Sequence, residues 1–283
     1  MILLLILPIL FSTSHAVERT DGRFSFSLTT FDPDGRLEQV ERAVRATLLG
    51  SPVVAVCGPD HIAMASLQAL PSNLILDDGT CRFIRVSPSI VVATAGVGAD
   101  GRIVAAAAQR LAVEHEYTFD EDIPVEKFLE EMSLLFQEYT IKQGARPFGC
   151  TLLVGYVPTE QSVGLGQKPT TPQLYQIDPS GSIRNLGVRA AIGSPLPRSV
   201  AAQLDGIDGL TLSTSNTTST VESLQSLLES YADEFQKTQQ IMDKDEKEEA
   251  TAAAAAVPLR IVSAILTQQS LVIERIPLNG TKQ

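Results

Sequence analysis

Tryptophan is absent from this 283-residue chain, and cysteine and histidine are scarce, with three of each. Cys57, Cys81 and Cys150 are too few and too scattered for a disulfide scaffold, and none forms a CxxC pair for zinc. Lying in or beside apolar runs, they read as buried free thiols. His15, His61 and His115 are equally scattered, so neither a histidine-based metal site nor a cofactor is expected. No GxSxG-type motif offers His61 or His115 a nucleophile, and both read as structural or solvated.

Basic residues are also in short supply: 22 Lys and Arg stand against 33 Asp and Glu, for a net charge of -11, and no basic patch is visible. A phosphate-binding surface needs clustered cations, so nucleic acid is excluded as a partner. The chain has no apolar run of the about 20 residues that a bilayer span needs. Ile2 to Phe11 is unbroken but too short, and it lacks preceding positive charges; no stable membrane anchor is expected. Ser14 and Ala16 around His15 are small where a signal peptidase would inspect them, so residues 1–16 are either a secretory signal or an extension from a misassigned start. Residues 17–283 read as one domain, and a 44% hydrophobic content can fill its core. Asn216-Thr217-Thr218 and Asn279-Gly280-Thr281 have the form of glycosylation acceptors, a pattern too short to fix a compartment.

The residues that are present alternate between helical and strand periods. Asp32-Pro33-Asp34-Gly35 is a tight turn, since Pro fixes φ, Gly accepts φ > 0 and Asp bonds nearby N–H groups. A helix is predicted from about Arg36, with Leu37, Val40, Val44, Thr47 and Leu48 as its apolar stripe and Gly50 as its stop. Val53 to Cys57 and Ile62 to Ala65 form a hairpin around Gly58-Pro59-Asp60, and Arg82 to Val86 with Ile90 to Ala95 form a second. Two helices follow: Asp100 to Tyr117, with Ile103, Val104, Ala107 and Leu111 on one face, and Pro124 to Lys142, with Phe128, Leu129, Met132, Leu135, Phe136 and Tyr139. Strands resume at 150–156, 173–177 and 183–188; a helix spans about 220–242, and strands close the chain near 259–266 and 271–276. Hairpin-length connections disfavour a parallel nucleotide-binding sheet and favour two antiparallel sheets covered by helices. Within this order the acidic, Ala-rich stretch 243–256 is an insertion, either a helix extension or a disordered loop, serving as an acidic partner surface or as a solvated face.

Phe24 to Val44, FSFSLTTFDPDGRLEQVERAV, followed in order by Gln137-Glu138-Tyr139-Thr140, Arg146-Pro147-Phe148-Gly149 and Asp178-Pro179-Ser180-Gly181, resembles the α-type subunits of the 20S proteasome core particle, and FSFSLTT narrows the resemblance to their type-2 branch. The match covers about Phe24 to Ile192 well and the remainder loosely. It implies an α+β fold, the four-layer αββα sandwich of two antiparallel sheets of the N-terminal nucleophile hydrolases. It further implies a gate and ring-assembly segment over 24–50, with Phe24, Phe26, Asp32, Pro33, Gly35, Arg36, Gln39 and Glu41 as candidate residues. Arg146, Pro147, Phe148, Gly149, Asp178 and Gly181 are its structural signature.

In that family catalysis uses an N-terminal threonine supported by an acid and a lysine. Ser51 falls at the nucleophile position, internal to the chain and followed by Pro52; the acid falls on Ser66 and the lysine on Arg82. No catalytic residue is therefore assigned. The resemblance implies a structural subunit for ubiquitin-dependent protein catabolism in cytoplasm and nucleus, with neighbouring α subunits, β-ring subunits and unfolded polypeptides as partners. Leu67-Gln68-Ala69-Leu70 stands where lysines receive the carboxylate of activator tails, and a neutral surface speaks against docking there. Arg42 replaces an aromatic residue, and Ser194 to Thr214 replaces a more polar segment. The alternatives are a secreted or lumenal hydrolase with Ser51 exposed by a second cleavage, and a paralogue that keeps the fold as a non-proteasomal binding module.

Overall fold

The computed structural model describes residues 27–69, 82–158, 171–207, 220–233, 259–267 and 270–277. Phe24, Phe26, Leu70, Cys81, the 1–16 and 243–256 stretches and both glycosylation-type triplets lie outside them.

Along the chain run α1 (Glu38–Thr47), β1 (Val53–Cys57), β2 (His61–Ala69), β3 (Phe83–Arg85), β4 (Ile90–Gly96), α2 (Gly98–Phe119), α3 (Val125–Ile141), β5 (Cys150–Tyr156), β6 (Gln173–Ile177), β7 (Ile183–Gly187), β8 (Arg189–Ile192) and α4 (Arg198–Gly206). Next come α5, described over 220–233, then β9 (Leu259–Thr267) and β10 (Leu271–Pro277). Among the described residues two five-stranded sheets result, in the orders β10-β9-β2-β1-β8 and β3-β4-β5-β6-β7. Every pairing is antiparallel.

Side chains of a strand point alternately to its two faces, and here both faces of the central strands β1 and β5 are covered. In β1, Val53, Ala55 and Cys57 face the other sheet and meet Val91, Ala93 and Leu153, whereas Val54 and Val56 face the helices α4 and α5. In β5, Leu152, Val154 and Tyr156 meet Val104, Ala108, Phe128 and Phe136 of α2 and α3. Burial on both sides is why β1 reads VVAVC, an unbroken apolar run without polar alternation. The layers are therefore helix, sheet, sheet, helix, as the α+β sandwich expectation required.

Several local expectations are corrected. α1 begins at Glu38 rather than Arg36, because the Asp32–Gly35 turn extends through Arg36, whose N–H donates to Asp32 Oδ1 at 2.6 Å. Its buried face is Ala43 and Thr47, with Leu48 exposed past its end. In α2 the inward face is Val104, Ala105, Ala108 and Ala112, while Ile103 is exposed: small alanines let the helix lie close to the sheet, and that rotation turns Ile103 outward. β2 runs on to Ala69, so Leu67 is interior and pairs with Ile261. The segment after Ser194 contains α4, and Arg189–Ile192 forms a separate strand on β1; both are short, and their apolar content is too sparse to mark a period.

Candidate functional site

α1, the start of β1 and the ends of β4 and β5 converge at one end of the sandwich. The chain reaches α1 through the turn: Gly35 N–H donates to Asp32 O at 2.9 Å, and Gly35 has φ of 78°, where a side chain would be strained. Arg36 and Arg45 both approach Glu41, at 3.9 and 3.6 Å, and Arg42 meets Glu38 at 3.0 Å. These pairs are largely in water and orient the helix surface more than they stabilise it. Pro33 is exposed and Gln39 half-buried.

The helix sits close because glycines lie beneath it. A Cβ on Gly50 would fall 2.3 Å from Gly96 N, and one on Gly96, at φ of 111°, would fall 2.4 Å from Gly149 O and 3.0 Å from Thr47 Cα. Val97 N–H donates to Gly149 O at 2.9 Å, joining the exit of β4 to the entrance of β5.

Arg146, Pro147, Phe148 and Gly149 close the same junction. Arg146 grips Asp100 with two hydrogen bonds, Nη1 to Oδ2 at 2.6 Å and Nη2 to Oδ1 at 2.8 Å, and Gly149 N–H adds a third to Oδ2 at 2.8 Å. Asp100 is buried, and its carboxyl lies below the ordinary aspartate pKa chiefly because Arg146 donates to it, with burial opposing and the Gly149 N–H assisting. Phe148 is 5% exposed and packs edge-on against Phe136 at 5.4 Å and tilted against Tyr139 at 4.3 Å. Asp100 was not among the residues singled out in sequence; an acid in the first turn of a helix is the one signal that could have marked it.

The second signature turn docks elsewhere, on α3. Asp178 Oδ1 accepts from Ser180 N–H at 2.9 Å and Ser182 N–H at 3.1 Å, and Gly181 N–H donates to Asp178 O at 2.9 Å. At Gly181, φ is 85° and a Cβ would lie 2.7 Å from Ser133 O, so the turn needs glycine there.

Ser51, Ser66 and Arg82, far apart in sequence, gather at the start of β1. Ser66 Oγ donates to Pro52 O at 3.0 Å, and Arg82 Nη1 reaches Ser51 O at 3.4 Å. Both side chains are spent on backbone carbonyls, and Ser51 N belongs to the peptide bond with Gly50. Burial lowers the Arg82 pKa. Gln68 Oε1 accepts from Arg260 Nε at 2.8 Å, and Gln68 lines with Arg82, Thr94 and Arg102 a cleft of about 180 Å³.

His61 and His115 stay apart: His61 bonds Thr220 at 3.3 Å, and His115 Nδ1 lies 3.3 Å from Glu121 O. Cys57 and Cys150 are buried free thiols whose pKa burial pushes up to about 12. Among the described residues no group of three or more His, Cys, Asp or Glu could hold a metal, and no helix is long and apolar enough to cross a membrane.

Comparison with known proteins gives this geometry a family. "Proteasome subunit alpha type-2" of Oryza sativa subsp. indica is 34% identical over 162 residues, 57% of this chain and 65% of that protein. "Proteasome subunit alpha type-2-A" of Arabidopsis thaliana is 35% identical over the same shares, and "Proteasome subunit alpha type-2" of Caenorhabditis elegans is 33% identical over 56% of this chain and 64% of its own. The chain thus spans about 65% of the length of the first of these relatives. The family profile described as "Proteasome subunit" matches residues 47–202, more than half of the chain and the whole stretch from the end of α1 into α4, and the chain belongs to the proteasome subunit family.

Proposed function

We propose that the chain is a structural α-ring subunit of a proteasome core particle with no catalytic centre of its own, assembling with neighbouring α subunits and β-ring subunits in cytoplasm and nucleus. Its N-terminal segment, including Phe24 and Phe26, contributes to a gate for unfolded polypeptides in ubiquitin-dependent protein catabolism; those two residues enter by sequence position alone. The observation that carries the reading is α1 seated on the ends of β4 and β5, with Gly50 against Gly96, so that Ser51 follows a packed helix in the chain and its nitrogen is an amide. A nucleophile of this kind needs a free α-amine and a proton-accepting partner, and Ser66 and Arg82 provide neither. Residues 67–70 offer no lysine to receive a partner's C-terminal carboxylate, which speaks against the docking of activator tails there.

Purification of core particles from the source, followed by mass spectrometry, tests the assignment: the polypeptide is expected among the α subunits. Its consistent absence while the other α subunits are present would overturn the reading. The apolar run Ile2 to Phe11 favours a second reading, a secreted or lumenal member of the family. Sequencing of the mature N-terminus separates them, since a start near Val17 would mark signal removal and a start at Ser51 would mark autoprocessing.

A further inference from the structure

His61 opens β2 beside the turn Gly58-Pro59-Asp60 and is 4% exposed. Its imidazole lies over Gly58, where an added Cβ would fall 2.2 Å from Cε1, and its Nε2 is 3.3 Å from Thr220 Oγ1. Thr220 is itself buried and is the first described residue of α5, whose Val221, Leu224, Leu227, Leu228 and Tyr231 cover the outer face of the β1–β2 hairpin. One side chain thus bridges the hairpin turn and the helix that roofs this sheet.

Among the described residues, the groups around it offer little to an imidazolium. Asp60 in the turn is the acid that acts on it, and it is exposed. On α5 the first described charged residue, Glu222, faces solvent. On β1, the Cys57 thiol stays neutral, and on β9 the register partner is Thr267. On β8, Arg189 turns away to the carbonyls of Leu204 and Ile207 at the end of α4.

We infer that His61 is an acid-sensitive latch, holding α5 on its sheet near neutral pH and loosening that helix as the imidazole takes up a proton. Burial favours the neutral ring, and the nearby Asp60 opposes this only in part, so the folded-state pKa lies below 6.5. The stabilisation from a neutral His61 is complete above that ordinary value and is lost as pH falls through it.

Hydrogen–deuterium exchange of the full chain, in the assembly in which it is isolated, tests this at about pH 7.5 and about pH 5, reading α5 against α3 after correction for intrinsic exchange. The expected result is a loss of α5 protection at the lower pH with α3 unchanged. His61→Gln keeps a hydrogen-bonding group without a titrating one and is expected to abolish the difference. Equal protection of α5 at both pH values, or an equal fall in His61→Gln, overturns the latch. Should the variant fail to fold, NMR titration of His61 in the unsubstituted chain decides: a midpoint below the ordinary imidazole value supports the proposal, and one at or above it overturns it.

Discussion

Asp100 shows how one residue ties distant parts of the chain together. It is buried at the first turn of α2, and its partners Arg146 and Gly149 lie 46 and 49 residues further on. Removing Arg146 leaves a buried carboxylate still held by the Gly149 N–H, and breaking such a pair typically costs more than making it gains. Because the Arg146 side chain is 65% exposed, water screens much of the attraction, and Arg146→Ala is expected to cost about 1–3 kcal/mol in denaturant unfolding. The pH dependence has a definite sign. The folded-state pKa of Asp100 is depressed, so its contribution is present above the ordinary value of 3.8 and disappears as pH falls below it. The stability gap between the parent chain and Arg146→Ala should therefore narrow in acid; a gap constant from neutral to strongly acidic pH would show that the pair is not the cause.

Between elements, the decisive contacts are backbone against backbone. α1 rests on the ends of β4 and β5 because Gly50, Gly96 and Gly149 leave no side chain in the way. Gly96 combines a positive φ with a Cβ position 2.4 Å from a carbonyl oxygen that cannot retreat without breaking the Val97 to Gly149 hydrogen bond. Gly96→Ala is therefore expected to cost more than about 3 kcal/mol, read as loss of the folded baseline in a thermal melt. Gly98→Ala, two residues away with nothing within 4 Å of its Cβ, is the matched control and should melt like the parent. Equal melting of the two variants would show that the close approach does not hold α1 in place.

For the molecule as a whole, the apolar residues left outside the core bear on assembly. Leu48 and Leu49, just past α1, are 49% and 89% exposed, an unusual placement for leucines beside a helix that seals its own domain. If α1 builds a ring, Leu49→Asp should leave the melt of the isolated chain nearly unchanged while reducing its incorporation into core particles several-fold, measured by quantitative mass spectrometry. Unchanged incorporation would count against α1 as a ring contact. Much of this architecture was legible beforehand, because β1, β4 and β5 are apolar on both faces and α3 repeats Phe128, Met132 and Phe136 at helical spacing, patterns that local geometry writes directly into the residues. The site was legible in part: the Asp32–Gly35 turn, Phe148 and Gly181 carry their reasons in their chemistry. Asp100 as the partner of Arg146, the interior place of Leu67 and the roof of α5 over His61 did not, since each depends on which strand lies beside which. By itself the sequence determined the turns and most of the element types, consequences of φ preferences and periodicity within a few residues, while the family was legible through the resemblance of its motifs. The tertiary structure alone decided that, at the start of β1, Ser66 and Arg82 spend their bonds on the backbone carbonyls of Pro52 and Ser51. Non-local pairing is selected by total burial and hydrogen-bond satisfaction over the whole chain, a sum that no local window contains.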